Sequence, residues 1–213
     1  MRKQDWYLEY LHVQEHQPLP FVGRFDSRTP VKTVVSDIRQ TLGVDPEKSR
    51  LDYDKYSRAL IDAAEVAGVL VMRSGIALGN THRKLEVSEF RGFAISNSLA
   101  PVVFINSSDA PTARLFTLMH ELAHLWIGSS GVSDAGTANG REEERFCNAV
   151  AGEFLVPEEL FRAVWNAGIE WESNLALSLR GFMSASLLLV DARWTWATLR
   201  KSSTASITEP PRV

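Results

Sequence analysis

The sequence predicts an α+β fold, a small sheet packed with helices, and two observations carry that prediction. Three short apolar stretches, Val69–Met72, Phe90–Ser96 and Val102–Ile105, read as strands. Around them lie longer segments whose apolar residues recur at the spacing of one helix face, so strands and helices are mixed along the chain. With 213 residues, 45% of them hydrophobic, the chain can bury one sizeable core.

The elements follow in order. Residues 1–28 read as a short helix near Trp6–Val13 and then an extended arm through Pro18-Leu19-Pro20-Phe21-Val22-Gly23. Thr29-Pro30 starts a helix with Val31, Val34, Val35, Ile38 and Leu42 on one face, stopped by Gly43. Asp54 caps a second helix that runs through Ala67 to a stop at Gly68. The strands come next, the last two joined by a turn near Asn97-Ser98. Asp109 and Pro111 open a helix that ends before Gly128. Residues 129–140 are a Gly/Ser/Asp-rich loop. Glu142 to Leu155 then forms a helix with Phe146, Val150, Ala151, Phe154 and Leu155 inward, stopped near Pro157. The chain therefore divides into an N-terminal arm over 1–28, a main domain over 29–168, and an atypical C-terminal segment over 169–213. The end of that segment, from Ser202, has the composition of a disordered tail.

Charge and composition exclude several function classes. A net charge of −3 implies no basic face, so nucleic-acid binding by this chain is not expected. No apolar run reaches membrane-spanning length, and the N-terminus lacks the apolar core of a signal peptide. The single cysteine, Cys147, cannot form an internal disulfide, which fits a reducing cytoplasm.

His120-Glu121-Leu122-Ala123-His124 carries the chemistry. Residues four apart stack on one helix face, so both imidazoles can reach one metal ion. Glu121, one residue past the first histidine, stands where a general base would take a proton from water. Catalytic zinc sites carry three protein ligands and leave one position open. The next helix supplies a candidate: Glu144, which shares a face with Asn148. Glu144 is the expected third ligand, with Glu143 as the competing carboxylate. Asn148 is expected to hydrogen-bond one of the two imidazoles. Cys147 lies about 100° round that helix from Asn148 and reads as packing. Glu153 reads as solvated. His12, His16 and His82 lack ligand spacing, and Arg91 either binds substrate or pairs with a carboxylate.

These segments resemble the ImmA/IrrE family of metallopeptidases. The resemblance rests on His120-Glu121-Leu122-Ala123-His124, on Glu144 with Cys147-Asn148-Ala149-Val150-Ala151, and on Leu155-Val156-Pro157. It also covers Glu89-Phe90-Arg91-Gly92-Phe93 and Phe104-Ile105-Asn106, and runs from about Trp6 to about Pro157. It implies a zincin-like domain whose active-site helix carries the motif, with Zn2+ held by His120, His124 and Glu144 and Glu121 as base. The implied function is endoproteolysis of a regulatory protein, a DNA-binding repressor being the natural substrate. The second reading is a metal-retaining interaction module of a transcription-regulator or toxin–antitoxin-type system; an intact Glu121 favours the enzyme.

Two further expectations follow. In zincins a sheet edge beside the motif helix takes a peptide by strand addition, and Pro101–Asn106 stands at that place in the sequence. The other reading of the same strand is a buried core strand, and it is the preferred one. The resemblance is lost between Leu177 and Gly181, and Arg180-Gly181-Phe182-Met183-Ser184 to Trp194-Thr195-Trp196 does not look like the family. That loss suggests a shifted reading frame. The helix-turn-helix domain that many relatives carry is also not seen.

Overall fold

The computed structural model describes residues 2–13, 15–44, 53–76, 83–130, 138–159 and 162. The expectations for 169–213, for the frame near Leu177–Gly181 and for His82 lie outside the described residues. The described elements are α1 (Arg2–Val13), α2 (Val31–Leu42), α3 (Tyr53–Val66), β1 (Leu70–Ser74), β2 (Gly92–Ile95), β3 (Val102–Asn106), α4 (Pro111–Trp126) and α5 (Ala138–Leu155). This is the α+β class that the sequence predicts.

The helices form where apolar spacing and glycine stops put them. α2 buries Val34, Val35, Ile38 and Leu42 and ends on Gly43 in the left-handed conformation at φ 61°. α3 turns inward through Leu60, Ile61 and Ala64. Asp54 lies inside its first turn rather than ahead of it, because the helix already begins at Tyr53. α5 begins at Ala138, inside the stretch expected to be loop. Among the described residues, no helix is long and apolar enough to cross a membrane.

The sheet order is β1-β3-β2. β1 runs parallel to β3, with Leu70 opposite Val102, and β2 runs antiparallel to it, with Phe93 opposite Phe104. β3 is thus the central strand, and four of its five residues are buried. The preferred reading of Pro101–Asn106 as a buried core strand therefore holds and the edge reading does not: among the described residues, β2 is the edge strand beside the motif helix. Val103, Ile105 and Ala94 face the helical core, while Phe93 and Phe104 stack on the opposite face with ring centroids 5.1 Å apart. α4 packs on β2 and β3 from one side and on α5 from the other.

The residues ahead of α2 belong to the same packing. Phe21 is 2% exposed and stacks on Trp126 at 4.3 Å. The N–H groups of Gly23 and Phe25 donate to the carbonyls of Leu125 and Trp126, at 2.9 and 3.0 Å. Phe25 thereby satisfies the Trp126 carbonyl at the end of α4, and Gly23 joins the Gly128 N–H on the Leu125 carbonyl. The Trp126 indole N–H donates to Asp37 Oδ1 at 2.7 Å, tying α4 to α2. Removing the ring of Phe21 leaves a cavity against Trp126, so Phe21→Ala is expected to lower stability by about 3–5 kcal/mol in a denaturant titration. A loss below about 1 kcal/mol would mean the arm contributes little to the core.

Candidate metal centre

α4 begins cleanly because Pro111 sits at its first turn, where a missing N–H costs nothing. It is buried almost all round, as a helix held between a sheet and a second helix must be. Two of its inward residues are imidazoles. His120 and His124 are 9% and 5% exposed, and their Nε2 atoms lie 3.1 Å apart. From α5, Glu144 brings Oε2 to 3.4 Å from His120 Nε2 and Oε1 to 3.1 Å from His124 Nε2.

One turn further along α5, Asn148 Oδ1 lies 3.0 Å from His120 Nδ1. Nδ1–H donates to that oxygen, so the lone pair of His120 Nε2 faces the other two groups. Three metal-ligating groups then meet at one spot. Tetrahedral ligands at about 2.0–2.1 Å from a zinc ion would stand about 3.3 Å from one another. The two nitrogens stand 3.1 Å apart, each has a different Glu144 oxygen at 3.1–3.4 Å, and one atom from each residue can be chosen within 4.8 Å of the others, so the donor set can close on a divalent cation. Among the described residues, His120, His124 and Glu144 are the group that could hold one.

The competing carboxylate is engaged elsewhere: Glu143 Oε2 accepts from the Ser129 hydroxyl at 2.8 Å. Glu121 is 5% exposed. Burial, and then the neighbouring charge of Glu144, push its pKa up to about 8 in the metal-free protein. A bound cation acts in the opposite direction. Cys147 is fully buried, and burial raises its thiol pKa, so it packs as a neutral side chain.

Other expected roles resolve as follows. Arg91 Nε lies 3.7 Å from Asp109 Oδ2, the carboxylate pairing of the two alternatives. His16 is exposed. Glu153 is half-buried rather than solvated, because its Oε2 accepts the backbone N–H of Glu158 at 3.1 Å, just beyond α5.

Gly92 has a part that the sequence reading did not assign. A Cβ there would stand 2.5 Å from Thr117 Cγ2, 2.7 Å from the Phe104 carbonyl oxygen and 3.0 Å from Glu121 Oε1. Only glycine lets β2 lie this close to α4, which brings the sheet edge beside Glu121. A lone glycine within a strand pattern is the signal that could have found it. Asn106 is a second such residue. Its side chain donates to the carbonyls of Leu85 and Phe90, at 3.4 and 3.2 Å, and so fixes the chain leading into β2.

Asn148→Ala removes the acceptor that orients His120. The variant is expected to keep its fold and to bind metal about 10–100-fold more weakly in a chelator competition. An unchanged affinity would remove Asn148 from the site.

A family model described as the IrrE N-terminal-like domain, of peptidase family M78, matches residues 64–195, more than half of the chain. No curated protein matches it. The match starts well after Trp6 and continues beyond both Pro157 and Gly181. The abrupt loss of resemblance that motivated a shifted reading frame is therefore not seen in the family match.

Proposed function

The chain belongs to the IrrE N-terminal-like family of metallopeptidases, and from that premise we propose that it is a zinc-dependent endopeptidase cleaving a regulatory protein, with a DNA-binding repressor as the substrate. The convergence of His120, His124 and Glu144 on one point beside a buried Glu121 carries this reading. In the proposal the three converging side chains are the ligands and Glu121 is the general base.

A divalent ion held there supplies Lewis acidity, which makes water a stronger acid and a peptide carbonyl a better electrophile. The protein's own groups do the rest. Glu121 accepts the proton of the attacking water and passes it to the leaving amine. Asn148 keeps His120 in the tautomer that offers Nε2 inward. β2 offers a main-chain edge beside Glu121, along which an extended peptide can add as a further strand.

The test is metal analysis of purified protein combined with incubation against DNA-binding repressors from the same source. About one zinc per chain and a defined cut in the repressor are expected. Zinc at that level with no cut in any cognate regulator would turn the reading toward an interaction module, and absence of bound metal would overturn both.

A further inference from the structure

We propose that Ser130 closes one end of the peptide-pairing edge and so limits how far a bound peptide is read on the N-terminal side of the cleaved bond. The inference rests on the peptidase reading above and adds a specificity-determining residue to it.

The alternation of the ladder identifies the free groups. Asn106 N–H donates to the Arg91 carbonyl at 2.8 Å, so Arg91 is hydrogen-bonded toward β3. In an antiparallel pair such residues alternate with ones whose N–H and C=O point away. Phe93 and Ile95, opposite Phe104 and Val102, therefore bond inward. Gly92, Ala94 and Ser96 point outward, to the side where a peptide would add. No partner for the outward groups of Gly92 and Ala94 is present among the described residues.

Ser96 differs. Its N–H donates to the Ser130 hydroxyl oxygen at 2.7 Å. That oxygen stands where the carbonyl of an added strand would stand. The segment is anchored at its other side as well, because the adjacent Ser129 hydroxyl donates to Glu143 Oε2 on α5. The two serines thus bridge the sheet edge to the helix that carries Glu144. One end of the edge is stopped, and the other lies beside Glu121 at Gly92.

Direction follows from these positions. β2 runs from Gly92 toward Ile95, so a peptide adding antiparallel runs from the Ser96 end toward Gly92. Its reacting bond lies near Gly92 and Glu121. The residues ahead of that bond pair with Ala94 and would next reach Ser96, whose N–H is already occupied. Extension beyond that point finds the Ser96 N–H taken and loses that pairing until Ser130 gives way.

The test uses the full-length, zinc-loaded protein and a series of peptidyl hydroxamates of two to six residues, titrated calorimetrically. With wild type, affinity is expected to rise with length and then level off by about the fourth residue. With Ser130→Ala the rise continues to the longest probes, adding about two- to tenfold for the hydrogen bond gained. Ser130→Thr, which keeps the hydroxyl, should level off as wild type does. Ser130 is exposed, so Ser130→Ala leaves the Ser96 N–H to water and folding intact. The same length dependence in wild type and Ser130→Ala overturns the role of Ser130 alone. Failure of every hydroxamate to bind zinc-loaded wild type overturns the peptidase reading and this inference with it.

Discussion

His120→Ala and His124→Ala are each expected to yield folded protein that carries only a small fraction of the roughly one zinc per chain expected of wild type. Each variant leaves two donors where a catalytic zinc needs three. The loss should be visible without any substrate. A ligand that binds only the folded state raises stability by about 2.7 kcal/mol at a concentration one hundred times its Kd. Wild type should therefore melt at a higher temperature with zinc than in a chelator, and the two variants should not. Whatever each truncation costs the metal-free fold is read in the chelator, so the shift that zinc adds isolates the site formed by His120, His124 and Glu144. Full zinc occupancy in both variants would show that the cation is held elsewhere.

Glu121→Gln is expected to separate chemistry from metal binding. The amide fills the space of the carboxylate but cannot accept a proton, so turnover should fall by about 10²–10⁴-fold while zinc content is kept. Stability has its own sign. Burial and Glu144 raise the Glu121 pKa, which means that its ionised form is disfavoured in the folded, metal-free protein. That penalty is absent below the unfolded-state pKa, grows as the pH rises above it, and levels off above the folded value of about 8. The neutral variant should then melt no lower than wild type in a chelator at neutral pH. Equal cleavage by wild type and Glu121→Gln would exclude Glu121 as the base.

Much of this arrangement was legible in the residues. The four-residue spacing of His120 and His124, and of Glu144 and Asn148, is a one-dimensional property that a helix turns directly into shared faces. Gly43, Gly68 and Gly128 mark real chain turns for a similarly local reason, each taking a positive φ. The identity of the edge strand was harder to read. It depends on β1 pairing with β3 across the intervening β2, which is a matter of sheet order rather than of any single stretch. The continuous apolar run Val102-Val103-Phe104-Ile105 did carry the signal of a strand buried on both faces. The fit of Gly92 against Glu121 and Thr117 arises between elements, so the sequence holds only its shadow, a glycine in a strand. Glu153 departs from the solvated expectation because its partner, the Glu158 N–H, comes from helical residues beyond the break at Pro157, which the periodicity of α5 does not describe.

The contacts of Gly23 and Phe25 with the last carbonyls of α4 bear on how the protein can be dissected. A fragment cut at the start of α3 would keep both histidines, Glu121, Glu144 and Asn148. It would lose the ring stacked on Trp126, the acceptor of the indole N–H and the apolar face of α2 that packs on α5. Such a fragment carries the whole chemical inventory yet would expose Trp126 to water, and aggregation during expression is its expected fate. In the intact chain, the amides of Gly23 and Phe25 should exchange with deuterium as slowly as those of the site helix whose end they close.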